Sequence, residues 1–130
     1  MNVVSYSKKE ISELKKGDTV YLKVVIRQGW GEYRHSFFKK KIVKSISPKG
    51  NSLKTESGEV IDLRTTNIYH ESEEVHKENV LAKNFVTISD IKYDLSKKDA
   101  TSIPDEYLQK IRDAYQALAD IYDEIEKAKG

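Results

Sequence analysis

The clearest hydrophobic pattern in the chain is TVYLKVVI, residues 19–26, where Val20, Leu22, Val24 and Ile26 alternate with Tyr21, Lys23, Val25 and then Arg27. Strict alternation sends one set to each side of an extended backbone and predicts a half-buried strand. A second stretch, FFKKKIVKSISPKGNSLKTESGEVIDLRTTNIY at 37–69, holds three more β-patterned runs separated by two turn signals, Ser47-Pro48-Lys49-Gly50-Asn51 and Ser57-Gly58. In its first run Phe38, Ile42 and Ile46 share a face with Lys40 and Lys44, and Phe37, Val43 and Ser45 share the other. That mixture predicts a long, bent strand with a bulge near Lys40. Residues 52–56 and 59–63 read as a hairpin joined by the two residues Ser57-Gly58, and residues 64–69 as a short helical turn leaving the sheet. Between these regions Gln28-Gly29-Trp30-Gly31-Glu32 is a glycine-flanked loop, with 33–38 a second arm or an excursion.

Helical spacing appears at both ends. Ser7 and Glu10 stand at capping-box distance, with Tyr6 and Ile11 placed as a hydrophobic staple and Gly17 as a left-handed cap. The result is a helix of about two turns, which needs a surface to pack on and suits the end of a barrel. Residues 70–83 are charged and weakly helical, and Asn84-Phe85-Val86-Thr87-Ile88-Ser89-Asp90-Ile91 reads as a fifth strand that closes the sheet. Residues 94–102 form a polar linker without periodicity. Beyond Pro104, Leu108, Ile111, Tyr115, Leu118, Tyr122 and Ile125 recur at alternating steps of 3 and 4, a coiled-coil seam widened by Tyr107, Ala114 and Ile121. That seam either packs on the sheet, self-associates into a homodimer or meets a partner helix. The expected organisation is a strand-rich domain at 1–93, a linker at 94–102 and an amphipathic acidic helix at 103–130.

Charge changes the picture more than composition does. The formal net charge of +2 divides unevenly: residues 1–70 carry fourteen Lys and Arg against seven Asp and Glu, and residues 71–130 nine against fourteen, giving +7 and −5. Such asymmetry marks an association surface, or two halves that attract each other. Arg27, Arg34, Lys39, Lys40, Lys41, Lys44 and Lys49 form a candidate basic surface for nucleic acid or a nucleoprotein, with Trp30, Tyr33, Phe37 and Phe38 as candidate stacking groups. Phe37 and Phe38 serve equally as core, and the lysines as protection for a strand edge. Asp113, Asp120, Asp123 and Glu124 form a rival acidic face on the last helix.

Several chemistries find no signature. No cysteine is present, so neither a disulfide framework nor a thiolate metal site exists. His70, Glu71, Glu73, Glu74 and His76 fit no metal-ligand frame, and neither a nucleophile elbow nor a phosphate-loop order appears. Enzyme activity and cofactors are therefore not expected. No apolar run reaches membrane length, and a cytoplasmic location in a bacterial host cell is expected, the Lys-, Ile-, Glu- and Tyr-rich usage suggesting an AT-rich bacterium or its phage.

Leu14-Lys15-Lys16-Gly17-Asp18-Thr19-Val20-Tyr21, followed by a long second strand and two tight hairpins, resembles the opening of SH3-like small barrels. KOW and Tudor modules and the barrel domains of many small phage proteins share this layout, and the resemblance covers residues 14–69. It implies an SH3-like antiparallel five-stranded barrel, and with the helices read from their own spacing the expected fold is α+β: that barrel with a short N-terminal helix and a long C-terminal amphipathic helix. The function it implies is a phage or mobile-element accessory binding protein. An inhibitor of a host defence nuclease of the anti-CRISPR type, using the acidic helix as a nucleic-acid mimic, is the alternative.

Overall fold

The alternating run forms β1 (Thr19–Val24), and it lies in the middle of the sheet. The structure is a computed structural model that describes residues 3–28, 31–32 and 34–130, with the backbone alone at 27–28 and 31–32. After β1 come β2 (Arg27–Gln28) and β3 (Gly31–Glu32), a two-residue antiparallel ladder. Then follow β4 (Phe37–Ile46), β5 (Ser52–Thr55), β6 (Val60–Asp62) and β7 (Ile68–Tyr69). Five of them make a curled antiparallel half-barrel in the order β6-β5-β4-β1-β7. Three helices complete an α+β structure: α1 (Lys8–Ser12), α2 (Glu73–Ser96) and α3 (Leu108–Lys129). The chain divides into two compact units, Met1–Ser89 and Asp90–Gly130, the division falling within α2.

Two clusters build the first unit, one on each face of the sheet. Val20, Val43, Leu53, Ile61 and Ile68 are buried together, and Tyr6, Ile11 and Leu14 pack against them from α1 and its flanks. Opposite, Tyr21 and Phe38 meet Val75 of α2, with Tyr69 partly buried beside them. Neighbouring positions of β1 thus belong to different cores. That is why Val20 and Tyr21 are both buried where one-sided alternation would expose Tyr21.

Register explains the bend in β4. Val20 faces Lys41, Leu22 faces Lys39 and Val24 faces Phe37 on one side of the sheet, while Tyr21 faces Lys40 and Lys23 faces Phe38 on the other. The register with β5 shifts between Val43 and Ser45, so Val43 and Ile46 both reach the first core. The face change therefore falls at Lys44 and not near Lys40. The burial of Val43 against Thr55 sets it there.

Other sequence expectations are corrected as well. Residues 84–91 are helical, part of α2: Val75, Asn79, Ala82, Val86 and Ser89 are buried or half-buried at helical steps, and that spacing overrides the β propensity of Val86, Thr87 and Ile88. The fifth strand is instead Ile68–Tyr69, within the span expected to be a helical turn, and it pairs with Tyr21 and Leu22. Residues 4–6 run along its outer edge, with Tyr6 N–H donating to Ile68 C=O and His70 N–H to Val4 C=O at 2.9 Å. The β5–β6 connection is longer than the two residues Ser57-Gly58: it runs over 56–59, with Thr55 N–H bonding Glu59 C=O and Gly58 at φ 92° completing the turn. Gly17, at φ 94°, does not cap α1, whose C-cap is Glu13; it turns the chain into β1, donating its N–H to Val43 C=O at 2.8 Å.

The start of α1 is as expected. Ser7 accepts from Glu10 N–H at 3.2 Å while Glu10 accepts from Ser7 N–H at 3.0 Å, which satisfies two otherwise orphaned donors. Ser72 plays the same part before α2, accepting from Val75 N–H at 3.2 Å. In the second unit the tail of α2 is followed by 3-10 turns at Ala100–Ser102 and Asp105–Tyr107 and then α3. Residues 94–96 of the expected linker are helical. Among the described residues no helix is long and apolar enough to cross a membrane.

Candidate partner-binding surfaces

Strand geometry divides the basic run. Lys39 and Lys41 extend from one face of β4 and Lys40 from the other, and Lys44 sits at the bulge. Lys39, Lys40 and Lys44 are exposed, whereas Lys41 is half-buried with its Nζ 3.1 Å from Glu59 Oε1. Adjacent lysines on a strand cannot form one patch, because successive side chains leave opposite faces. The lysine facing the same side as Lys40, in register with Phe38, is Lys23, which is exposed. Arg34 is exposed at the entrance to β4. Trp30, Tyr33 and the side chain of Arg27 lie outside the described residues. Of the two candidate stacking groups left, Phe38 is core and Phe37 is half-buried.

Lys49 is placed differently. It stands in the 47–52 turn, which is tied down by its own hydrogen bonds: Ser47 Oγ accepts from Asn51 N–H at 3.1 Å and Ser52 N–H at 3.0 Å, and Leu63 N–H donates to Asn51 C=O at 2.9 Å. Beside it opens a cleft of about 650 Å³ that lies between α1 and the turn and is also lined by Lys8 and Arg64. Arg64 is held by Asp62 through Nε at 3.0 Å and Nη2 at 3.1 Å, and those hydrogen bonds hold the Asp62 carboxyl below its ordinary range. Lys8 and Arg64 were not in the sequence-based set. They are far apart along the chain from Lys49 and from each other, and no local pattern joins them.

The loop before β4 is fastened to α2. Glu78 reaches His35 Nδ1 at 3.1 Å and Ser36 N–H at 3.2 Å. Burial alone would raise the Glu78 pKa, but these hydrogen bonds and the His35 and Arg34 charges outweigh it and hold the carboxyl below its ordinary range. The three histidines pair singly, His35 with Glu78, His70 with Glu10 and His76 with Glu71. Among the described residues no group of three or more His, Cys, Asp or Glu side chains is placed to hold a metal ion.

In the second unit α3 buries none of its residues. The seam of Leu108, Ile111, Tyr115, Leu118, Tyr122 and Ile125 is between 41% and 68% exposed, and Ile121 beside it 54%. Asp113, Asp120, Asp123 and Glu124 lie away from that seam and are exposed. Gln109 and Gln116 each donate to the aspartate one turn on, Asp113 at 2.9 Å and Asp120 at 2.8 Å, fixing the carboxylates in a row. A continuous apolar stripe this exposed exceeds the scattered surface leucines of ordinary soluble chains. Comparison with known protein families, with curated proteins and with solved structures finds no match.

Proposed function

We propose that this chain is a non-enzymatic binding protein that pairs with a second copy of itself through α3 and carries its half-barrel as an SH3-like presenting module. The observation that carries the pairing is the exposed seam of α3, six apolar residues at coiled-coil steps, none of them buried, on a helix of 22 residues. The SH3-like assignment is supported by strand order: β1, β4, β5 and β6 form a meander, and β7 returns to pair with β1.

Charge favours an antiparallel pair. Centring it between Gln116 and Ala117 sets Leu108 against Ile125, Ile111 against Tyr122 and Tyr115 against Leu118 of the other copy. The same register brings Asp105 and Glu106 level with Lys129 and Lys127 of the other copy, and Ala114 beside its Ile121. A parallel pair would instead set Asp105 and Glu106 beside their own counterparts and Lys127 and Lys129 beside theirs, and would align the two helix dipoles. Closing the seam leaves Asp113, Asp120, Asp123 and Glu124 outside as an acidic strip. That strip supports, as a second reading, a basic protein partner of the kind that binds nucleic acid.

Sedimentation of the full chain over about 1–100 μM tests the pairing. Wild type should move from monomer to dimer and Leu118→Asp should stay monomeric; a wild-type monomer throughout that range refutes the proposal. For the acidic strip, charge reversal at Asp113, Asp120 and Asp123 should abolish capture of a basic partner without changing dimer mass.

A further inference from the structure

We infer that the cleft between α1 and the 47–52 turn is a binding site for a phosphorylated ligand of nucleotide size, either free or as one unit of a single strand. The cleft measures about 650 Å³, within the range of small-molecule sites. Among the described residues its lining carries three cationic side chains, Lys8, Lys49 and Arg64, and the nearest carboxylate, Asp62, lines the adjoining cleft. Lys8 and Lys49 make no ion pair among the described residues, so their charge is available to a ligand. Asp62 neutralises part of Arg64 but also orients it: two of the guanidinium N–H groups are engaged, and the remainder keep the planar donor geometry suited to phosphate oxygens.

Below the cationic rim the lining turns apolar. Ile11, Ile46 and Leu63 are half-buried there, each also packed against the first core, and Pro48 stands at the edge. Rim and floor together suit a ligand with one anionic end and one flat apolar end. A bare oxyanion would leave the floor wetted, and an uncharged ligand would leave the cations unused. The walls are preformed, since the 47–52 turn is closed by hydrogen bonds and α1 is anchored by its capping box and by Tyr6, Ile11 and Leu14. Preformed walls lessen the ordering that binding requires. This site lies in the first unit and is independent of the α3 pairing, so either can fail alone.

Amide shifts of the full chain, titrated separately with inorganic phosphate, adenosine, adenosine monophosphate and a short oligothymidylate at low salt, test the site. Adenosine monophosphate or the oligothymidylate should give saturable shifts confined to residues 8–12, 46–52 and 63–64. The one that saturates identifies a free nucleotide or a strand as the source, and its affinity should exceed that of phosphate or adenosine by about tenfold or more. Lys8→Glu with Lys49→Glu should remove the binding. The neutral pair K8Q/K49Q should weaken it by at least about tenfold, and as both positions are exposed the fold is retained. The inference is overturned by an absence of saturable shifts, by shifts centred elsewhere, by phosphate binding as tightly as the nucleotide, or by binding that survives the double substitution.

Discussion

The side-chain amide of Asn79 in α2 makes both of its hydrogen bonds to one residue, Phe38: its Oδ1 accepts from Phe38 N–H at 2.6 Å and its Nδ2 donates to Phe38 C=O at 3.1 Å. A neighbouring strand would offer the same pair of groups. β5 is too short to supply it, since it pairs with β4 only from Val43 onward. The helix thus completes the sheet edge that the strand leaves open, and beside it Glu78 does the same for Ser36 N–H. Substituting Asn79→Ala strands a part-buried donor and acceptor and should destabilise the first unit by about 1–3 kcal/mol in urea unfolding. Asn79→Asp keeps the acceptor but loses the donor, and should also destabilise. An unchanged midpoint for both would show that water replaces the amide at no cost.

Acid should loosen α1. The Glu10 carboxyl lies below its ordinary value of 4.5, first because of the backbone and side-chain hydrogen bonds with Ser7 and then because of His70, whose Nε2 is 2.7 Å away. A group whose folded pKa is depressed contributes fully above its ordinary value and loses that contribution as pH falls through the folded one. Amide protection in residues 8–12 should therefore carry the full Glu10 contribution just above pH 4.5 and fall below it. Glu10→Gln should lower protection at neutral pH and flatten its dependence below 4.5. A fall of equal size in that variant would assign the effect to another group.

Antiparallel pairing of α3 has a spectroscopic signature. The chain has no cysteine, so Gln109→Cys carries a single spin label on the outer side of the helix. In the proposed register two such labels are offset along the axis by roughly 22 Å, given a rise of 1.5 Å per residue. A parallel pair has no offset. Mixing chains labelled at Gln109 with chains labelled at Lys127 should give a short distance in the antiparallel case alone.

Single charge reversals should separate the basic positions. Lys49→Glu should reduce oligothymidylate affinity more than Lys39→Glu or Lys40→Glu, because the latter two leave opposite faces of β4. Lys41→Ala removes a partly exposed ion pair with Glu59 and should alter stability by no more than about 1 kcal/mol. Equal loss at Lys39, Lys40 and Lys49 would restore a continuous basic surface across β4.

Much of this architecture was readable from local pattern. β1 follows from its alternation, the start of α1 from Ser7 and Glu10, and α3 from steps of 3 and 4, because each depends on neighbours within a turn or two. The seam residues of α3 were legible for the same reason. What the sequence left open depends on distant partners. Residues 84–91 have the composition of a strand, and only continuity with a helix already anchored by Val75 on Tyr21 and Phe38 makes them helical. Ile68 and Tyr69 are two residues without periodicity, and they become a strand because β1 offers a free edge beside them. The lysine run looked like one patch because sequence adjacency ignores the two faces of a strand. Conversely, the Lys8, Lys49 and Arg64 cleft exists only once α1, the 47–52 turn and the end of β6 are brought together. Short-range periodicity is written in the order of the residues; which edges meet and which charges converge is decided when the sheet closes on its cores.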